Sequence, residues 1–251
     1  MSHQGDLQNA RQVYRTGQNK NLKFLLASRS LWMNNFIEKD FVGVELGAGI
    51  GASRDYVVCQ KLVLTDFNDS PWLDVKNVDA LHTNFEANSF DFILASNMIH
   101  HLAFPRKFFD ECSRILKPGG LLLVQEIHTS LFMRIILRLT RHEGFDETIK
   151  VFDETVACND PSDPWSANCA VPKLLFKTHA IFETHFQDWQ VVYDEYVEFL
   201  QFLNSGGVVA KTKYLSLSPK ALKLQSVLDG ILCRMFPQIF ALQRRLVLRK
   251  N

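Results

Sequence analysis

Val42-Gly43-Val44-Glu45-Leu46-Gly47-Ala48-Gly49-Ile50-Gly51 is an apolar run that ends on an acidic residue and passes at once into glycines at alternate positions. Apolar residues on both faces of a short segment describe a buried parallel strand. Glycines directly after it let the backbone turn tightly and lie against a ligand, so the stretch reads as the first strand and cofactor loop of a βαβ unit. About twenty residues on, Lys61 to Asp66 is a second β-rich run that ends in a carboxylate. At that spacing an acidic side chain at the tip of the second strand accepts hydrogen bonds from ribose hydroxyls.

Working outward, Val75 to Val78 reads as a third strand ending at Asp79-Ala80, and Phe90 to Ser96 as a fourth, followed by Asn97-Met98-Ile99-His100-His101. Phe104 to Leu116 sets Phe108, Phe109, Cys112, Ile115 and Leu116 on one helical face, which is core packing. The turn Lys117-Pro118-Gly119-Gly120 leads into a fifth strand, Leu121 to Ile127. Trp189 to Tyr193 and Phe240 to Arg249 read as the sixth and seventh, and Ser218-Pro219 caps a last helix. Such alternation predicts an α/β fold with a doubly wound, mainly parallel seven-stranded sheet. A leading helix is expected over residues 21–38. The boundaries expected are an N-terminal helical cap at 1–39 and a main domain at 40–251, with a helical or loop insertion after the fifth strand at about 143–188.

Composition narrows the function classes. Hydrophobic residues make up 47% of the 251, yet no apolar run approaches the roughly twenty needed to span a bilayer. The polar stretch 1–21 lacks the apolar core of a signal peptide. The five cysteines stand singly, so neither a disulfide framework nor a zinc motif is expected, and a reducing cytoplasm is the expected compartment. A net charge of +1 offers no electrostatic case for nucleic acid.

Taken together, Glu45 to Gly51, Asp66, Asp79-Ala80, Ala95-Ser96 with its histidine pair, and Leu116 to Gly120 resemble the class I S-adenosylmethionine-dependent methyltransferases over about residues 40–130. The resemblance implies a Rossmann-like fold and S-adenosyl-L-methionine as cofactor. It implies that Gly47, Ala48 and Gly49 pass under the methionine part, with Glu45 fixing the loop or the ammonium. Asp66 would hold the ribose, Phe67 would face the adenine, and Asp79 and Ala80 would address the adenine edge. Ser96 would offer its backbone to the aminoacyl end. A nicotinamide-dependent oxidoreductase would share the first strand and Asp66, but would more usually carry a further glycine where Ala52 stands. A binding protein without turnover is the other alternative.

Methyl transfer from a sulfonium is an in-line displacement, so alignment and exclusion of water come first, and a general base serves hydroxyl acceptors. By position the candidates are His101, His100, Glu126 and His128, the last two alternating along one strand face. Adjacent histidines are expected to point apart, so no metal site is expected. Pro164 to Asn168 joins a flat aromatic to hydrogen-bonding side chains, a mix suited to a sugar or ring. The expected reading is a methyltransferase for a small molecule or glycan precursor, at oxygen ahead of nitrogen or carbon. Arg134, Arg138 and Arg141, backed by Leu131, Phe132, Ile135, Ile136 and Leu139, leave a membrane-surface or lipid-linked substrate open. Oligomeric state is not legible.

Overall fold

The computed structural model describes residues 6–140, 143–208 and 212–251. In chain order these form α1 (Leu7–Thr16), α2 (Lys20–Leu31), β1 (Val42–Leu46), β2 (Lys61–Thr65), β3 (Phe90–Ser96), α3 (Pro105–Ile115), β4 (Leu116–Ile127) and α4 (Leu131–Thr140). The insertion adds α5 (Ala170–Leu175) and α6 (His179–His185), followed by β5 (Trp189–Val197), α7 (Leu200–Leu203), α8 (Pro219–Met235), α9 (Pro237–Phe240) and β6 (Gln243–Lys250). The strands make one mixed sheet in the order β2-β1-β3-β4-β6-β5. Pairing is parallel from β2 through β4, and β6 runs antiparallel to both β4 and β5.

Among the described residues six strands stand where seven were expected. The run Val75 to Val78 contributes only a bridge between Thr65 and Val75. Asp74 turns its carboxylate onto the Leu64 N–H at 2.7 Å, and Asn77 takes a positive φ of 53°. The chain therefore curls round the end of β2 instead of extending beside it. The β1–β2 connection, residues 47–60, is also short and holds one 3-10 turn, Ser53–Asp55.

Alternation along the strands divides two cores. Val44, Leu46, Ile93, Ala95, Leu122 and Val124 face α3 and the insertion, where Phe109 packs among Phe176, Phe182, Phe186 and Trp189. Phe92, Leu94, Leu123 and Val247 face the other way onto Trp32, Met33 and Ile37. Gly43 is required by this packing, because an added Cβ would fall 2.2 Å from the Phe92 ring.

The expected leading helix is α2 followed by a 3-10 turn at Trp32–Asn35, and α1 was not foreseen. Its sequence is polar and buries only Ala10 and Tyr14, but Asp6 caps its start and Gly17, at φ 65°, ends it. The two helices pack Ala10, Tyr14, Leu22 and Leu26 onto Ile50 and Ala52 of the glycine loop. Ser218 caps α8 as its sequence predicts. On α4, Met133 and Leu137 are buried while Leu131, Ile135 and Leu139 are exposed beside Arg138; Arg141 lies outside the described residues. Among the described residues no helix is long and apolar enough to cross a membrane.

Candidate functional site

The parallel strands end together, and the loops leaving their carboxyl ends build the site, as in other open α/β sheets. Gly47, Gly49 and Gly51 all have positive φ, at 74°, 51° and 66°. Their surroundings differ. A Cβ at Gly47 would lie 3.1 Å from Met98 Cβ, and one at Gly51 would crowd Leu64, Arg11 and Trp72, whereas at Gly49 nothing lies within 4 Å. Gly47 and Gly51 are thus glycines for packing, and Gly49 leaves open space over the backbone. Trp72 Nε1 donates to the Gly49 carbonyl at 2.8 Å, and Arg11, stacked 4.6 Å over the Trp72 ring, donates to the Ile50 carbonyl.

Asp66 closes this cradle from β2. Its Oδ2 accepts from Gly49 N–H at 2.8 Å and its Oδ1 from the backbone and side-chain nitrogens of Asn68 at 3.2 and 2.6 Å. A carboxylate has about four lone-pair directions, so the residue that shapes the loop retains acceptor capacity. Phe67 is 57% exposed beside it. Asp79 is exposed and accepts from Leu81 N–H at 2.8 Å, with Ala80 half-buried between them. Ser96 ends β3, half-buried. An open glycine backbone, a ribose-type carboxylate and an exposed aromatic on one rim fit an adenosyl cofactor.

Glu45 is buried beneath the loop and accepts from the Ser53 hydroxyl. Burial pushes its carboxyl up to about 8; the Ser53 hydrogen bond works against the shift and the charge of Asp66 adds to it. An acid whose folded value is raised holds its proton in the fold after the unfolded chain has lost it. Stability therefore falls as pH rises from the ordinary 4.5 towards 8, by at most about 1.4 kcal/mol per pH unit. Glu45→Gln is expected to flatten this slope, so thermal midpoints at pH 5.5 and 8 should lie closer together than in wild type. Equal slopes in both proteins would show that Glu45 ionises at its ordinary value.

Across Met98 from the glycine loop, a 3-10 turn at Ile99–His101 presents the two histidines. They do not point apart: the rings lie 4.2 Å centroid to centroid, tilted by 39°. His100 is buried, its Nδ1 2.5 Å from Glu126 Oε1. Glu126 also accepts from the backbone N–H groups of Ile99 and Ile127, each at 2.7 Å. Its carboxylate is itself buried, so these contacts hold it against the His100 ring, which it orients. Burial opposes charge on His100, but Glu126, through charge and hydrogen bond, and then Glu143 raise its pKa. His101 Nδ1 lies 3.1 Å from the Ser166 carbonyl, and burial and then the His100 charge lower its pKa to about 4.

His128 goes elsewhere. It meets Tyr196 edge-on at 4.7 Å and lines a void of about 10 Å³ with Lys173, Arg244 and Glu126, whose strand face it shares as expected. Burial, then Arg244, Lys173 and Arg134, lower its pKa to about 4.

Sequence reasoning missed Glu143, Asn159, Arg11 and Trp72. Glu143 reaches the turn because Gly144 bridges Asn168, whose N–H donates to the His100 carbonyl at 2.9 Å. Asn159 Nδ2 donates to the carbonyls of His100 and Leu102, both at 2.9 Å. No local pattern announces these long-range contacts.

Residues 44–124 match a family model described as a methyltransferase domain. Over 109 residues, 42% of the chain, the sequence is 30% identical to a highly reducing polyketide synthase, aurA, of Calcarisporium arbuscula, and the match spans 4% of that protein's length. The fold resembles a SAM-dependent methyltransferase from Archaeoglobus fulgidus with a TM-score of 0.56 at 15% identity, covering 94% of this chain and 97% of that one. It also resembles the [4+2]-cyclase SpnF, with a TM-score of 0.50 at 16% identity over 91% of this chain and 81% of that one. With the glycine cradle and Asp66 in place, the match identifies residues 44–124 as a methyltransferase domain, in a chain whose fold is that of a SAM-dependent methyltransferase.

Proposed function

We propose that the chain is an S-adenosylmethionine-dependent methyltransferase that acts on a small molecule or glycan precursor, at an oxygen atom. The observation that carries this reading is the juxtaposition across Met98: an open glycine backbone with Asp66 on one side, and two oriented imidazoles on the other. Bound cofactor supplies an electrophilic methyl group on a sulfonium. The chain's own residues divide into two sets. Gly47, Ala48, Gly49, Asp66, Phe67, Asp79, Ala80 and Ser96 hold the cofactor, and Glu45 fixes the loop. His100, oriented by Glu126, and His101 face the acceptor side, where an imidazole lone pair receives or orients a hydroxyl proton. His128 lies outside this set.

The insertion at about 143–188 supports an acceptor-binding role. Ser166, the residue after Trp165, carries the carbonyl that holds His101. An aromatic face beside oriented polar groups suits a sugar or ring. Residues 1–39 act as a cap, since α1 and α2 close over the glycine loop. A cyclase with this fold shows that the fold alone does not dictate methyl transfer, so cofactor binding and turnover need separate tests.

Calorimetric titration with S-adenosylmethionine, S-adenosylhomocysteine and NAD tests the first half. Stoichiometric binding of the two sulfur compounds and none of NAD is expected, and the reverse pattern would overturn the reading. Asp66→Ala should weaken both by about ten-fold or more, because ribose hydroxyls left unpaired cost about 1–3 kcal/mol. Unchanged affinity in a folded variant would place the ribose elsewhere. A methyl-transfer screen over hydroxylated sugars, phenols and amines tests the acceptor.

A further inference from the structure

We propose that His100, His101 and Glu143 form a binding site for one divalent transition-metal ion of the zinc type. One ligand atom from each of the three lies within 4.8 Å of the other two. His100 Nε2 is 3.9 Å from Glu143 Oε1. That is the span of a loosely gathered donor set, wider than a closed coordination sphere and within reach of small side-chain shifts.

The surrounding hydrogen bonds make these groups suitable donors. His100 Nδ1–H donates to Glu126, and His101 Nδ1–H to the Ser166 carbonyl. Each ring is thereby fixed in the tautomer whose Nε2 carries the lone pair. A carboxylate or carbonyl behind the distal nitrogen is the usual support of a metal-bound histidine. Glu143 is held in turn: the buried Cys169 thiol donates to its Oε2 at 2.9 Å, and the Gly144–Asn168 bridge fixes its backbone against the histidine turn. All three donors thus have their orientation set by other groups.

Two imidazoles and one carboxylate with a further position open are a donor set of catalytic zinc sites. His100 is buried, while His101 and Glu143 are half-buried, so an ion would be anchored inside and approachable from one side. That this side receives the methyl acceptor rests on the methyltransferase reading above; the metal site itself does not. An ion there would take an acceptor oxygen or a water as its remaining ligand.

The test is titration of tag-free, chelator-treated protein with Zn²⁺ by calorimetry, followed by Co²⁺ absorption as a report of low coordination number. Wild type is expected to take one ion per chain. His101→Ala and Glu143→Gln should each bind about 10²-fold or more weakly and lose the intense Co²⁺ bands. His101 and Glu143 are half-buried, so both variants should fold, and circular dichroism checks that they do. Absence of stoichiometric binding in wild type would overturn the site. So would wild-type affinity in a folded His101→Ala protein, which would assign the ion to surface histidines such as His179 and His185. Titration of the same preparations with S-adenosylhomocysteine keeps the two proposals apart. Zinc binding without it removes the methyltransferase reading and leaves the metal site, and the converse does the opposite.

Discussion

His101→Ala is expected to bind S-adenosylmethionine within about three-fold of wild type and to transfer methyl groups about 10²–10⁴-fold more slowly. The glycine loop and Asp66, where we propose the cofactor binds, follow β1 and β2, whereas His101 lies in the turn after β3 with Met98 between it and Gly47. Removing its imidazole leaves the Asp66–Gly49 contact untouched. His100 is a poorer probe, because its loss would strand the buried Glu126 carboxylate without its imidazole partner and lower stability at the same time. Parallel measurement of cofactor affinity, melting temperature and turnover separates the outcomes. A wild-type rate would assign His101 to packing, and loss of affinity and stability together would make the turn structural.

The second large effect concerns stability. Arg29 on α2 forms a two-nitrogen contact with Glu198, at 2.7–3.2 Å, and both are buried. Gln125 of β4 joins through its amide to Glu198 and accepts from Trp32 Nε1 at 3.0 Å. This network ties the N-terminal helices to the sheet. Arg29→Met leaves the Glu198 carboxylate buried without its cation, which costs about 3–5 kcal/mol. For a chain of this size the melting temperature should fall by roughly 10 °C. Glu198→Leu added to Arg29→Met should restore most of the loss, because the penalty lies in the orphaned charge. A near-neutral single variant would show that water reaches Glu198. Since α2 also packs on Ile50 and Ala52, the same single variant should loosen the glycine loop and weaken cofactor binding.

Much of the glycine loop and its carboxylate was legible because its determinants are local. A buried strand, glycines at alternate positions and a carboxylate at the end of the next strand follow from backbone geometry over about two dozen residues. The structure sets Gly47, Gly49 and Asp66 in mutual contact or close sequence as that spacing implies. The core face of α3 was legible for the same reason, since Phe108, Phe109, Cys112 and Ile115 keep helical spacing. The third strand misled because Val75 and Val78 have strand propensity, while Asp74 and Asn77 spend their side chains and backbone on a curl round β2.

The sequence by itself determined the sheet's parallel core, the glycine cradle and the carboxylate beside it, because each depends on neighbours close along the chain. Only the tertiary structure decided the surroundings of the histidine turn. What Glu126 holds, whether two adjacent imidazoles diverge or converge, and whether Glu143 comes near them depend on contacts between segments far apart in sequence. Burial settles the first: Glu126 is enclosed, with the His100 imidazole and two backbone N–H groups upon it. Pairing of Gly144 with Asn168 settles the last, since it carries Glu143 to the histidine turn. Such contacts follow from burial and the need to satisfy every enclosed polar group, which act on the folded chain as a whole.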